Sequence, residues 1–392
     1  MPAHMPATLP RLVAIEAIHV RVPFRRPLLD ATGEFTHRRS WLLRLVDEAG
    51  NEGLGEAALD PFATDVTTGA LARLIREIVP ALAGSNLPLW SALAAEGEPG
   101  RAAMAAIEGA VLALMAAREA TDPPAAVTGT LAGTGPAAVA SVAPIPVSAT
   151  IAYAAPEAGA DAAAQAIELG FGTLKLRAGF ERTTDQLVDR LRAIRAAVGP
   201  EPRVRIDAGA AWDLDTATER IAALEPFRIE FVEQPLAAWD ITGHAALRER
   251  VGVPIALDES VDSEGAARAA LADGAADVLV VKPVRVGGLA ATMRIAESAS
   301  AAGALVVLGT YFETGVGIAA ALRIAAAMRD GRATRSRAVE TAHGLATAGQ
   351  LVHDLLAVPL SIVKGRMAVP VRVTLEPAEV DRYALERFEV LT

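Results

Sequence analysis

Three carboxylates and two lysines stand at the ends of short apolar runs in the middle of the chain. The carboxylates are Asp207, Glu233 and Asp258, and the lysines are Lys175 and Lys282. Carboxylate oxygens are the ligands that a hard dication such as Mg²⁺ takes, and a lysine can exchange a proton when its surroundings lower its pKa. These residue types indicate a site that combines a metal ion with acid–base chemistry.

The spacing of these residues predicts the element that gathers them. Four of these five residues recur at intervals of 26, 25 and 24 positions along the chain: Asp207, Glu233, Asp258 and Lys282. One strand, one helix and two short loops fill such an interval, so the charged ends should meet on one rim of a parallel βα barrel. A single Asp at a strand end is more often a helix N-cap, but three in register, flanked by two lysines, favour a metal site.

Five apolar runs of strand length carry these ends, over 173–177, 203–207, 229–233, 254–258 and 278–282. Period-two geometry puts Lys175 and Arg177 on one face of their strand, so both should point into the barrel mouth. Glu313 follows a later predicted strand. It would either pair with a substrate or a lysine, or have a purely structural role.

The first part of the chain predicts a separate α+β domain. Its predicted strands and helices lie over 12–23, 41–46, 63–83 and 101–120. Residues 25–39 have a loop-like composition in which Arg38 is either part of a lid over an acidic substrate or solvated. Residues 121–145 are predicted to be a connector, and 370–374 and 385–391 to return as strands to the first domain.

The composition excludes several kinds of site and partner. The chain has 392 residues and no cysteine, which excludes disulfides, thiol nucleophiles and thiolate-bound metals. A net charge of −10 argues against binding to nucleic acid. Neither a membrane span nor a secretory signal is predicted, so a cytoplasmic enzyme is the default expectation.

Lysine is rare in this chain, which makes its positions informative. Only three of the 37 basic residues are lysines: Lys175, Lys282 and Lys364. Because arginine stays protonated in proteins whereas lysine can lose its proton, two lysines among the carboxylates point to acid–base or Schiff-base chemistry. The alternative is that they are surface salt-bridge partners.

Short motifs surround the five charged residues. They are Lys175-Leu-Arg177, Arg205-Ile-Asp-Ala-Gly209, Val232-Glu-Gln-Pro-Leu236, Leu257-Asp-Glu-Ser260 and Val281-Lys-Pro-Val-Arg-Val-Gly-Gly288. These motifs resemble those of the enolase superfamily, and within it the muconate-lactonizing subgroup. The resemblance implies a modified (β/α)₇β barrel over 146–365 and an α+β capping domain over 1–130, completed by 366–392. It also implies Mg²⁺, with Mn²⁺ as an alternative, on the three carboxylates, and Lys282 as the acid/base with Lys175 and Arg177 as electrostatic partners.

Three further segments are Pro146-Val-Ser-Ala-Thr-Ile151, Phe312-Glu-Thr-Gly-Val-Gly317 and His343-Gly-Leu-Ala-Thr-Ala-Gly349. They look most like segments of the o-succinylbenzoate synthases of menaquinone synthesis. The likeness implies substrate contacts from Glu313, Thr314 and Gly315, to which we add Arg38. The chain departs from the family twice: Gly209 stands where Asn is usual, and Arg177 where a second lysine is usual. Arginine is a poor base, which counts against a two-base racemase.

The leading hypothesis is Mg²⁺-assisted removal of a proton α to a carboxylate, giving an enolate that then loses a β-leaving group by dehydration. A cycloisomerase and a racemase or epimerase of N-acylamino acids or dipeptides are alternatives within the same chemistry. Two rivals come from other classes: a Schiff-base aldolase with Lys282 as its amine, and a barrel that only binds a dicarboxylate. The partner expected is a small-molecule carboxylate, and whether the chain forms a homo-oligomer is left open.

Overall fold

A four-stranded antiparallel sheet and a seven-stranded parallel sheet dominate this computed structural model, which describes residues 10–30, 33–83, 90–121, 143–330 and 341–391. The antiparallel sheet has the strand order β14-β1-β2-β3. Its strands are β1 (Leu12–Asp30), β2 (Gly33–Asp47), β3 (Glu52–Ala58) and β14 (Ala384–Leu391). The pairing of β14 with β1 confirms the prediction that residues 385–391 return to this sheet.

Two expectations about this region were wrong. Most of the predicted loop over 25–39 is extended, because β1 and β2 form one long hairpin that reaches Asp30 and Gly33. A break in the pairing between Pro23 and Leu28 divides the hairpin, which explains its loop-like composition. Residues 370–374 form no strand; only Leu375 makes an isolated bridge, to Leu356. Most of the predicted connector over 121–145 lies outside the described residues.

Three helices cover one face of the antiparallel sheet: α1 (Asp65–Ala83), α2 (Trp90–Ala95) and α3 (Gly97–Thr121). Helix α3 lies directly on β3, where a Cβ on Gly55 would fall 1.9 Å from the carbonyl oxygen of Ala106. The segment Gly97–Glu119 of α3 is long and apolar enough to cross a membrane, but 78% of its most apolar window is buried inside the protein. We therefore interpret α3 as a core helix.

The parallel sheet follows the chain order from β5 to β11. Its strands are β5 (Ala149–Ile151), β6 (Thr173–Arg177), β7 (Arg203–Asp207), β8 (Ile229–Glu233), β9 (Ile255–Leu257), β10 (Val278–Val281) and β11 (Leu305–Leu308). The alternating helices are α4 (Pro156–Glu168), α5 (Thr184–Val198), α6 (Leu214–Leu224), α7 (Ile241–Arg250), α8 (Glu264–Ala272), α9 (Pro283–Val286), α10 (Leu289–Ala301) and α11 (Gly315–Asp330). The predicted class, a barrel of parallel strands and helices with an antiparallel capping sheet, is confirmed.

Backbone hydrogen bonds close the curl of this sheet. The N–H of His343 donates to Pro146, and the N–H of Ser148 donates to His343, each over 2.9 Å. On the other side, the N–H of Gly344 donates to Leu308 over 2.7 Å. Residues 341–344 therefore lie between the two outer strands. The described chain also contains β4 (Ile145–Pro146), β12 (Ile362–Val363), β13 (Arg366–Met367) and α12 (Pro377–Tyr383).

Local sequence explains why the barrel helices begin where they do. Thr183, Asp213, Asp240 and Ser263 precede α5, α6, α7 and α8, and each side chain accepts a hydrogen bond from a backbone N–H in the first turn. Inside the barrel the inward-facing residues form a small apolar cluster of Phe231, Ala256, Val278, Val280 and Val307. This cluster fills the space beneath the charged rim.

Two carboxylates from the capping domain complete the start of two barrel helices. Glu56 on β3 accepts hydrogen bonds from the N–H groups of Thr314 and Gly317 at the start of α11, over 3.2 and 3.0 Å. Glu108 on α3 accepts from the N–H of Ala290 at the start of α10. Negative charge at a helix N-terminus is stabilising, so these contacts join the two domains.

Candidate active site

The strand register brings the predicted site residues side by side. Arg177 on β6 pairs with Asp207 on β7, and Asp207 pairs with Glu233 on β8. Asp258 follows the last residue of β9 and Lys282 follows the last residue of β10. All of these residues therefore lie at the carboxyl ends of neighbouring strands, on one rim of the barrel.

Ammonium groups bridge the carboxylates on this rim. Lys175 Nζ lies 3.1 Å from Asp207 Oδ2 and 2.7 Å from Glu233 Oε1. On the other side of the cluster, Lys282 Nζ donates to Asp258 Oδ1. Arg177 Nη1 lies 3.0 Å from Asp207 Oδ1. The predicted catalytic and metal-binding residues thus form two ion-paired groups, one around Asp207 and Glu233 and one at Asp258.

Burial and neighbouring charge separate the pKa values of the three carboxyls. Burial, with repulsion from Asp207 and Asp258, raises the pKa of Glu233 to about 8 despite the attraction of Lys175. Burial also acts to raise the pKa of Asp258, but Lys282, Lys175 and Arg285 outweigh it and hold that pKa at about 2. For Asp207, Lys175 and Arg177 outweigh burial and lower the pKa.

Lys175 is the fixed positive charge of the cluster. Burial opposes its charge, but Asp207, Glu233 and Asp258 together raise its pKa above the ordinary value for lysine. A lysine with a raised pKa keeps its proton, so this environment suits an electrostatic role for Lys175 better than that of a base.

The oxygen ligands that the three carboxylates offer are of the kind that a divalent metal ion binds. In this structure the carboxylates contact lysines. Asp207, Glu233 and Asp258 offer only oxygen, which suits Mg²⁺ or Mn²⁺. Burial is the largest cause of the raised pKa of Glu233, and a cation bound at this carboxyl would favour its charged form. Within the described ranges, no three Asp, Glu or His side chains surround a common point as closely as metal ligands do. To hold an ion, the three carboxylates would therefore have to move closer together.

Two residues that the sequence analysis did not single out shape this rim. The buried amide of Gln234 accepts hydrogen bonds from the N–H groups of Asp258 and Ser260 over 2.9 and 3.2 Å, which fixes the loop after β9. Arg285 donates to the carbonyl oxygens of Asp258 and Glu259. Gln234 directly follows Glu233, and Arg285 lies three residues after Lys282, in the same sequence motifs. That proximity to predicted site residues is the sequence signal that could have identified them.

The backbone at the rim is also unusual. Ala210, Gln234 and Phe312 follow β7, β8 and β11, and all three have positive φ angles, of 60°, 40° and 60°. Residues other than glycine rarely adopt this conformation unless the surrounding structure enforces it, and such positions cluster at functional sites.

The residues predicted to contact substrate have their polar groups engaged within the protein. Arg38 is buried and donates to the carbonyl oxygens of Tyr311 and Leu59 over 2.9 and 2.6 Å. Thr314 donates to Glu56 through its hydroxyl, and Gly315 donates through its N–H to Asp354. Substrate contact by these residues stays a prediction. The hydrogen bonds of Arg38 to Tyr311 and of Thr314 to Glu56 also join the capping domain to the barrel.

Glu313 lies in the same contact between the domains. Its Oε2 accepts a hydrogen bond from the N–H of Tyr311 over 2.7 Å. Burial, followed by repulsion from Glu56, raises its pKa to about 7. Substrate contact by Glu313 likewise stays a prediction.

Comparison with known proteins gives this rim a context. Residues 158–373 match the family model described as enolase C-terminal domain-like. An o-succinylbenzoate synthase from Thermobifida fusca (strain YX) is 40% identical over 215 residues, which are 54% of this chain and 62% of that protein. The chain thus matches less than two thirds of that relative's length.

Two further proteins are similar over most of this chain. An N-succinylamino acid racemase from Amycolatopsis sp. is 32% identical over 317 residues, covering 79% of this chain and 82% of that protein. The structure of a probable mandelate racemase from Alicyclobacillus acidocaldarius has a TM-score of 0.77 at 27% identity, covering 97% of this chain and 99% of that one.

Proposed function

The chain belongs to the enolase superfamily, and from that premise we propose that it removes a proton α to a substrate carboxylate with the help of Mg²⁺ or Mn²⁺. The enolate that results then loses a β-leaving group by dehydration, as in an o-succinylbenzoate synthase. One observation carries the proposal: three buried carboxylates lie on successive strand ends with a lysine on each side.

In this proposal Asp207, Glu233 and Asp258 hold the metal ion. When bound, the ion supplies positive charge that stabilises the negative charge developing on the substrate as the proton leaves. Lys175 keeps its proton and adds fixed positive charge beside Asp207 and Glu233.

Lys282 is our candidate for the acid/base that takes the α-proton. Its side chain reaches the cluster from β10, on the opposite side from Lys175, and is 12% exposed. The ring centroid of Tyr311 lies 5.3 Å from Nζ, so one side of the ammonium group is covered by an aromatic face. A lysine beside these carboxylates would be within reach of the α-carbon of a substrate bound next to the metal ion.

A racemase or epimerase is the second candidate, because the N-succinylamino acid racemase aligns with more of this chain than the synthase does. Arg177 counts against it, since a guanidinium seldom accepts a proton and a racemase needs a base on each face of its substrate. No specific observation favours the cycloisomerase, the Schiff-base aldolase or the barrel that only binds a dicarboxylate. The proposal includes a small-molecule carboxylate as the partner and the cytoplasm as the location.

The test compares wild type with Glu233→Gln, which removes one charged ligand and keeps its volume. Turnover is measured with the substrate of o-succinylbenzoate synthases and with N-succinylamino acids, with Mg²⁺ and after chelation. We expect dehydration that needs the metal and disappears in Glu233→Gln, while the exposed control Glu249→Gln retains it. Full activity of wild type after exhaustive chelation would refute the metal assignment, and racemisation without dehydration would select the second candidate.

A further inference from the structure

The guanidinium of Arg177 occupies the space that a side chain at position 209 would need. A Cβ built on Gly209 would lie 2.5 Å from Nη2, 2.8 Å from Cζ and 2.9 Å from Nη1 of Arg177. Gly209 also has a φ of +56°, a conformation that other residues rarely adopt. The two departures from the family pattern, at positions 177 and 209, are therefore one feature in space.

Both residues converge on the same oxygen atom. Arg177 Nη1 lies 3.0 Å from Asp207 Oδ1, and the N–H of Gly209 donates to that same Oδ1 over 3.1 Å. The side chain of Arg177 is still 35% exposed, so part of its planar set of donors is accessible from the barrel mouth.

We propose that Gly209 is a positioning residue for Arg177. Its bare backbone provides the surface on which the guanidinium rests, and that surface holds the group against Asp207 with donors left for an anionic oxygen of the substrate. Substrate binding by Arg177 rests on the proposed function. The contact between Gly209 and Arg177 is independent of that function. Gly209 would thus determine how a carboxylate substrate is bound at this rim.

The nature of the contact determines what a substitution should do. The atoms that meet the added Cβ belong to the end of a flexible side chain and not to backbone. The guanidinium can therefore swing away without forcing strands apart, so the expected result of Gly209→Ala is a displaced Arg177 in an intact fold. Backbone strain from the positive φ adds to this, and it is independent of what stands at position 177.

A double-mutant cycle separates displacement from strain. Gly209→Ala is made in wild type and in Arg177→Ala, and unfolding in urea is followed in EDTA. The matched control is Gly303→Ala, because Gly303 has a φ of +76° but nothing within 4 Å of its added Cβ. In the wild-type background we expect Gly209→Ala to lower the urea concentration at the unfolding midpoint by more than the control does. In the Arg177→Ala background we expect the two glycine substitutions to lower it by the same amount. Equal losses from Gly209→Ala in both backgrounds would overturn the proposal.

A binding measurement adds a result that strain alone would not produce. Succinate affinity is measured by calorimetry at saturating Mg²⁺ for the same variants. We expect Arg177→Ala and Gly209→Ala each to weaken succinate binding by roughly tenfold or more. The double variant should bind no more weakly than Arg177→Ala, and Gly303→Ala should bind as wild type does. Wild-type affinity in Gly209→Ala would overturn the positioning role. If wild type binds neither Mg²⁺ nor succinate, the proposed function fails while the unfolding cycle still decides the coupling.

Discussion

The charge of Glu233 should control the stability of the metal-free protein. This side chain is 2% exposed and lies 2.7 Å from Lys175, yet its pKa is raised to about 8 by burial and by its acidic neighbours. Replacing it by Gln keeps its size and removes its ionisation. We predict that the free energy of unfolding of Glu233→Gln, minus that of wild type, increases as the pH rises.

The sign and size of the effect follow from proton linkage. The ordinary pKa of this carboxyl is 4.5 and the folded value is about 8, so between these pH values the folded protein binds more protons than the unfolded one. Wild type therefore loses free energy of unfolding across this window, by at most roughly 5 kcal/mol above pH 8. Below the window Glu233 is protonated in both states, and the difference between the two proteins no longer depends on its charge.

Urea unfolding in EDTA at pH 5, 6, 7, 8 and 9 measures this difference directly. Glu259 and Glu313 also titrate near pH 7, but they are present in both proteins and cancel in the comparison. Glu249→Gln serves as an exposed control that should follow wild type at every pH. A gap between Glu233→Gln and wild type that stays constant or shrinks from pH 5 to pH 9 would refute the reasoning, because Glu233 would then not be a buried carboxyl that resists ionisation.

Three further outcomes are expected. Lys282→Ala should lose both turnover and deuterium exchange at the substrate α-carbon, which is measured by NMR. A control substitution at an exposed lysine, Lys364→Ala, should retain both. If exchange survives in Lys282→Ala, another residue is the base. Arg38→Ala should lower the free energy of unfolding by about 2–4 kcal/mol, because it leaves two buried carbonyl oxygens unpaired, whereas Arg39→Ala should change it little in the same urea assay; equal losses would contradict the inward position of Arg38. Glu108→Gln should cost about 1 kcal/mol in urea unfolding through the weakened start of α10, and no loss would show that the charge is not used there.

The barrel rim could be predicted from sequence because its signals are local and repeat. Each apolar run ends in a charged residue at an interval that fits one strand and one helix, so a shared rim for Asp207, Glu233 and Asp258 follows from the fold class. The exact pairing of Arg177 with Asp207 and of Asp207 with Glu233 comes from the structure. The ion pairs of Lys175 with two carboxylates add detail that the spacing does not contain, because they depend on side-chain conformation.

The contact between the domains could not be predicted in this way. Arg38 stands in a stretch of charged residues that reads as a solvated loop, yet the hairpin turns this one side chain toward buried carbonyl oxygens. Glu56 and Glu108 accept hydrogen bonds from N–H groups that lie 258 and 182 residues later in the chain, and no periodicity links positions so far apart. The domain bounds 1–130, 146–365 and 366–392 likewise stay predictions.

The carboxylates of Glu56 and Glu108 also limit how this chain can be recombined with its relatives. Helices α10 and α11 take part of their N-terminal hydrogen bonding from the other domain, so the barrel carries two incomplete helix starts when that domain is exchanged. A chimera that joins this barrel to a foreign capping domain would preserve both starts only if the donor supplies acidic side chains at the two equivalent places. A search for new specificities by domain shuffling should therefore keep this pair of acids fixed.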